Sequence, residues 1–114
     1  MQSKTFNQKI YNSLKKVPKG RVTTYKILAE AAGTKAYRAV GQAMRCNPYA
    51  PIVPCHRVVK SDGSIGGFQG SMNPKSKEVK RKIRMLGKEC IKVKDNRIVD
   101  FKNYLFNPKA LRKV

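Results

Sequence analysis

Acidic residues are scarce in this sequence: 6 Asp plus Glu face 26 Lys plus Arg, a formal net charge of +20 over 114 residues. A chain so unbalanced repels itself unless a polyanion is its usual partner. Long apolar runs are missing too. No stretch approaches the ~18 residues that cross a bilayer, and the N-terminus has no apolar signal core, which disfavours a membrane-spanning or conventionally secreted protein. There is no tryptophan, one histidine and three cysteines. Cys46, Cys55 and Cys90 make an odd count without scaffold-like spacing, so a reducing compartment and no disulfide framework are expected. With no CxxC pair and His56 as the sole imidazole, no metal site is expected either. A free cysteine usually serves as a small buried hydrophobe, the expectation for Cys46 and Cys90. Cys55 is treated below.

What is present suffices for one core. Hydrophobic residues make up 40%, with 5 Tyr and 4 Phe, and the length fits a single domain, residues 1–114. The basic residues are spread through it: 1–57 hold 11 basic and 1 acidic, 58–114 hold 15 and 5. The folded body itself is therefore basic. Nucleic acid is the leading partner class, with an anionic membrane surface or a high-temperature lifestyle as alternatives. Composition alone does not choose among them.

Phe6, Ile10, Tyr11, Leu14 and Val17 follow a helical spacing that predicts a helix from a Thr5 cap to Lys16, ended by Pro18-Lys19-Gly20. A second helix is expected to open at Thr23 or Thr24, carry Ile27, Leu28, Ala31 and Ala32 inward, and stop at Gly33. A third is predicted from about Lys35 to Cys46, closed by Asn47-Pro48. Helix, short turn, helix is the outline of a helix-turn-helix. In the third helix Ala36, Ala39, Val40, Ala43 and Met44 fall on one face, and Lys35, Arg38, Gln42 and Arg45 on the other. Each cation taken singly reads as part of a solvated face; together with small residues they favour DNA. Gly41 costs ~1 kcal/mol in a helix interior, and close approach of a sugar-phosphate backbone is one reason to keep it.

Residues 47–73 form a Pro- and Gly-rich segment with an Asp62-Gly63-Ser64 turn and a Gly66-Gly67-Phe68-Gln69-Gly70 loop. A fourth helix is predicted with Asn73 as cap and Pro74 as first residue, Val79, Ile83 and Leu86 inward, and Lys75, Lys77, Lys80, Arg81, Lys82, Arg84 and Lys88 on its polar side. A hairpin follows, with Ile91 and Val93, an Asp95-Asn96 turn, then Ile98 and Val99. The fold class is α+β, mainly helical.

Cys55 and His56 are adjacent, between Pro54 and Arg57. A thiol with an ordinary pKa near ~8.5 needs a base or a positive field to become a nucleophile. On an extended strand, neighbours point opposite ways, so contact of sulfur and imidazole needs a bend or a bridging water. An imidazole base also wants a carboxylate, and among six acids Glu89, at the end of the fourth helix, is the attractive candidate. Adjacency alone does not establish a nucleophile.

The string Pro54-Cys55-His56-Arg57-Val58 resembles the active-site signature of the O6-alkylguanine-DNA alkyltransferases. Arg21-Val22-Thr23-Thr24-Tyr25 resembles that family's entry to the helix-turn-helix, and Tyr37 through Pro48 its recognition helix and following asparagine. Gly66 to Gly70 resembles the active-site loop, Lys82 to Glu89 the closing helix, and Asn103-Tyr104-Leu105-Phe106 the end of some members. The likeness covers nearly the whole chain. It implies a winged-helix-like domain that flips O6-alkylguanine from double-stranded DNA and moves the alkyl group irreversibly to Cys55, once per molecule, and leaves activity on O4-alkylthymine open. His56 would act as base through a water, Glu89 would orient it, and Asn47 would hydrogen-bond around the thiol. Tyr25 would rotate the nucleotide and donate to the departing guanine. Arg38 would fill the gap in the stack, with Lys35, Ala39, Gly41, Gln42 and Arg45 along the minor groove. Met44, Val59, Phe68, Gln69 and Gly70 would surround the base. No cofactor, no metal and no membrane are implied, and a monomer is expected, cytoplasmic or, in a eukaryote, nuclear. The family's additional N-terminal domain is expected to be missing. Tyr37 stands where a small residue is more common. An alkyltransferase-like lesion binder without transfer is the alternative, and such proteins replace the acceptor cysteine. A plain winged-helix regulator accounts for the charge but not for Pro54–Arg57.

Overall fold

The computed structural model describes residues 4–48, 52–68 and 71–107. Helix α1 spans Lys4–Lys15 and buries Ile10, Tyr11 and Leu14, with Val17 just beyond it. The helix already includes Lys4, so Thr5 lies in its first turn and is not the cap.

Strand β1, Thr23–Thr24, runs into α2, Tyr25–Ala31, whose N-cap Thr24 accepts a hydrogen bond from the Ile27 amide at 3.0 Å. Such a cap contributes about 1 kcal/mol. The helix ends in a Schellman turn: Thr34 N–H donates to Ala29 O at 2.9 Å and Gly33 N–H to Glu30 O at 3.0 Å. Gly33 has φ +76° there, the left-handed conformation that glycine takes without penalty. Leu28 and Ala29 are buried; Ile27, Ala31 and Ala32, expected inside, are half-buried.

Helix α3, Tyr37–Arg45, packs on α1 and α2 through Ala39, Val40 and Ala43. Tyr11 ties it to α1 by donating its hydroxyl hydrogen to Ala43 O at 2.9 Å. Ala36, expected inward, is exposed because it is the N-cap, outside the helix's apolar row. Cys46 and Cys90 are exposed too, against the expectation of burial. Each follows the last turn of a helix, where the chain leaves the core.

Residues 52–68, after α3, hold more regular structure than their composition predicts. A 3-10 turn covers Cys55–Arg57, and β2, Val58–Val59, pairs in parallel with β1 in the register Thr23 to Val58 and Thr24 to Val59. Helix α4 is Lys77–Lys88 and is capped by Ser76, whose hydroxyl accepts from Val79 N at 3.2 Å. Asn73 does not cap it; its Oδ1 accepts from Lys75 N at 2.9 Å in a turn of its own, which delays the helix by three residues. Val79 and Leu86 are buried and Ile83 half-buried.

Strands β3, Val93–Lys94, and β4, Arg97–Ile98, form the expected antiparallel hairpin. Asp95 and Asn96 both have positive φ, 51° and 63°, as a tight primed turn requires. A short α5, Phe101–Tyr104, had no counterpart in the sequence reading. Beyond it the chain returns to β1: Val22 N–H donates to Tyr104 O at 2.8 Å and Phe106 N–H to Val22 O at 2.7 Å. The result is α+β and mainly helical. Among the described residues no helix is long and apolar enough to cross a membrane.

Candidate active site

The parallel β1–β2 pair puts the start of α2 beside the end of the 3-10 turn, so Tyr25 and Cys55 become walls of one cleft of about 720 Å³. Ligand pockets commonly measure roughly 300–1,000 Å³. Helix α3 supplies one side through Arg38, Gly41, Gln42, Met44 and Arg45, with Tyr37 at its start. The other side comes from Lys60, Gly66, Gly67 and Phe68, continued by Ser71 and Met72. A Cβ at Gly41 would meet nothing within 4 Å, so no protein packing explains that glycine.

Of the residues expected to surround substrate or DNA, Lys35 is exposed outside this wall, and Ala39 and Val59 are buried in the core. Gln69 and Gly70 lie outside the described residues.

Cys55 and His56 are both buried, on a 3-10 turn and not on an extended strand. His56 Nε2 lies 2.8 Å from Glu89 Oε2. With Nε2 donating to the carboxylate, Nδ1 is left as the acceptor of a neutral imidazole. Glu89 is the C-cap of α4 and is clamped from a second direction. Arg57 donates through Nε to Oε1 at 2.9 Å and through a terminal nitrogen to Oε2 at 2.7 Å, and its other terminal nitrogen reaches Val17 O at 3.0 Å. Burial by itself would raise the Glu89 pKa; hydrogen bonds from Arg57 and His56 overcome it and hold the carboxyl at about 2.

The backbone around Glu89 is bent to hold this geometry. Cys90 N–H donates to Gly87 O at 3.0 Å and Ile91 N–H to Leu86 O at 3.0 Å, a second Schellman turn. Its left-handed position is occupied by Cys90, at φ 67°, where glycine is the usual residue.

Burial pushes the Cys55 thiol pKa up, against a hydrogen bond from the Asn47 side chain, the positive charge of Lys82 and a backbone hydrogen bond. Asn47 also holds the turn, donating through Nδ2 to Val53 O at 2.8 Å. Burial likewise lowers the His56 pKa, with Glu89 opposing. The resting pair is thus a neutral thiol beside a neutral imidazole. Tyr25 is raised to about 12, first by burial and then by the negative charge that Cys55 carries once it is a thiolate, which keeps its phenol a hydrogen-bond donor.

Lys82 is the largest departure from the sequence reading. Expected on the polar side of α4, it is fully buried. Its Nζ donates to Val58 O and Ile65 O, both at 2.6 Å, and to Gly67 O at 3.0 Å. Burial lowers its pKa to about 7, opposed by the negative charge of Cys55 when that residue is a thiolate. Three acceptors match the three N–H bonds of an ammonium, whereas a neutral amine donates only two, so the carbonyls also favour the charged form. Lys82 thereby pins the strand and loop that border the cleft and sets a cation near the sulfur. The signal was available: Val79, Lys82, Ile83 and Leu86 fall on one row of the helix. Arg57 was noted only as a charge, and its grip on Glu89 was not foreseen.

The sequence model described as 6-O-methylguanine DNA methyltransferase, DNA binding domain, matches residues 5–91. A methylated-DNA–protein-cysteine methyltransferase of Pyrobaculum aerophilum is 43% identical over 96 residues, which cover 83% of this chain and 64% of that protein. The structure of S. pombe Atl1 in complex with damaged DNA containing O6-carboxymethylguanine superposes with a TM-score of 0.77 at 28% identity, over 93% of this chain and 98% of Atl1. Mycobacterium tuberculosis OGT in complex with DNA gives a TM-score of 0.65 at 36% identity, over 77% of this chain and 51% of OGT. The chain spans less than two thirds of the length of the methyltransferase relative. A buried Cys-His turn braced by Glu89, at the foot of a cleft walled by α3, accompanies a family match over most of the sequence: the chain belongs to the 6-O-methylguanine DNA methyltransferase family.

Proposed function

We propose that this protein repairs DNA by direct reversal, transferring an alkyl group from O6 of guanine to Cys55. The observation that carries the reading is the buried Cys55–His56–Glu89 arrangement opening into the cleft beside α3. The damaged guanine is inside the duplex and must leave the stack to reach a buried sulfur, at a cost of a few kcal/mol. Arg38, exposed on the cleft wall, fills the space left in the stack. The small, open surface at Gly41 admits a sugar-phosphate backbone in the minor groove.

In the cleft, the thiol proton passes to Nδ1 of His56 through a water, and Glu89 stabilises the imidazolium that forms. The sulfur attacks the alkyl carbon in line, forming the S–C bond as the C–O bond breaks. The electron pair stays on guanine, whose O6 receives a hydrogen bond from the Tyr25 phenol. Lys82 offers positive charge to the thiolate. A thioether has no easy hydrolytic route, so each molecule, acting as a monomer, turns over once. Phe68 and Met44 pack on the base, and Lys35 and Arg45 neutralise phosphates.

A second reading is favoured by the match over nearly the whole of Atl1: recognition of the lesion without transfer. Cys55, His56 and Glu89 weigh against it. Cys55→Ser is expected to retain preferential binding of an O6-methylguanine duplex while losing all transfer. A wild-type protein that binds the lesion and transfers nothing would establish the second reading.

A further inference from the structure

Helix α4 carries a row of cations that the cleft does not use. Lys77, Lys80, Arg84 and Lys88 are all exposed. At about 100° per residue they lie within roughly 80° of arc. The opposite row, Val79, Lys82 and Leu86, is buried, and α4 packs on the 3-10 turn that holds Cys55 and on β3. The basic row therefore points away from the catalytic centre. No residue of α4 is in the cleft wall.

An ordinary solvated helix face mixes signs at i, i+4; like charges at that spacing repel and destabilise the helix. Here four cations follow one another with Glu78 as the single acid of the helix, off the row. Lys77, at the first helical position, also works against the helix dipole. Among the described residues, the ion pairs are His56–Glu89, Arg57–Glu89 and Arg97–Asp62, none of which relieves the row. Such unrelieved repulsion calls for an external polyanion. The row runs about 16 Å at 1.5 Å per residue. One strand of a duplex presents about five phosphates over that distance, at 3.4 Å per phosphate. A membrane surface fits less well, because interfacial helices bury an apolar face beside their cations. The large apolar residues exposed among the described ones are Tyr37, Ile52, Met72 and Leu105, none of them on α4.

We propose that the basic row of α4 is a second DNA-backbone site, which grips a duplex segment other than the one docked on α3. It rests on the DNA-binding part of the proposed function and not on alkyl transfer.

The test uses the full chain and two undamaged short duplexes, one carrying a donor dye and one an acceptor. Wild-type protein is expected to bring them together, giving energy transfer that salt abolishes. The variant Lys77→Gln, Lys80→Gln, Arg84→Gln, Lys88→Gln is expected to bind one duplex within about threefold of wild type and to lose the second at least tenfold. The slope of log affinity against log salt for the second event should fall by about 3.6, at 0.9 per phosphate contact. Bridging by the variant equal to wild type, or binding of one duplex only by wild type, would overturn the second site. Loss of binding to phosphatidylglycerol vesicles by the variant with bridging unchanged would overturn it in favour of a membrane surface. Failure of wild type to bind any duplex would instead overturn the DNA-binding reading itself.

Discussion

His56 Nε2 lies 2.8 Å from Glu89 Oε2, a contact that joins the 3-10 turn to the C-cap of α4 across 33 residues of sequence. The same carboxylate takes two hydrogen bonds from Arg57. One group therefore sets the tautomer of the imidazole and neutralises the guanidinium beside it. Glu89→Gln is expected to lower single-turnover transfer by about 10²-fold or more, within the range general-base catalysis supplies. It also leaves Arg57 with an uncompensated charge. Quench-flow transfer with an O6-methylguanine duplex checks the rate; an undiminished rate would remove Glu89 from the mechanism.

Below pH 6.5 the pH dependence follows from two depressed pKa values. His56 sits below its ordinary 6.5, so the loss of transfer that comes from protonating the base should set in only below that value; above it, Lys82, held at about 7, gains charge as pH falls and favours the thiolate. Glu89, held at about 2 against an ordinary 4.5, contributes stability that is present above pH 4.5 and lost as pH falls toward 2. His56 adds to the loss, because the unfolded chain takes up a proton below 6.5 that the buried imidazole resists. A single-turnover profile and urea melts between pH 3 and 8 measure both. An acid limb centred above 6.5 would contradict the neutral imidazole.

Lys82→Met retains the length of the buried stem and removes Nζ. Two buried carbonyls, of Val58 and Ile65, and the half-buried one of Gly67 then lose their donor, and an unsatisfied buried polar group costs about 1–3 kcal/mol. A loss of about 3 kcal/mol or more in urea unfolding is expected, together with slower transfer and a higher Cys55 pKa by thiol titration. Unchanged transfer in a folded variant would limit Lys82 to a structural role.

Cys90→Gly should act in the opposite direction. Cys90 holds a left-handed conformation that costs an L-residue roughly 1–2 kcal/mol, and glycine gives part of that back as chain entropy in the unfolded state. A gain of about 0.5–1 kcal/mol is expected, with transfer unchanged. Destabilisation on this substitution would mean that the exposed Cys90 side chain holds the turn.

The sequence carried much of this site and less of its support. Glu89 was legible because six acids leave few candidates and it ends an amphipathic helix. Tyr25 and Arg38 do line one cleft, since the helix-turn-helix spacing fixes their faces; Cys55 joins them there through the β1–β2 pairing. Lys82 was hidden among the cations of α4, where residue type points outward and only helical phase points inward. The start of α4 was misread because Asn73 and Pro74 are good opening residues; Asn73 spends its side chain on Lys75 N, and Ser76 caps. The parallel β1–β2 pair was not legible at all. Two-residue strands leave no alternation to read, and their pairing joins segments 35 positions apart.

Alkyl transfer to Cys55 is the claim on which the rest depends, and intact-protein and peptide mass spectrometry after incubation with a duplex holding one O6-methylguanine tests it most directly. The expected result is a gain of ~14 Da, one per protein molecule, on the peptide that contains Cys55. Cys46 and Cys90 are the more exposed thiols and serve as internal controls. Modification at either of them, or no mass change under saturating lesion, would contradict a buried Cys55 as the acceptor.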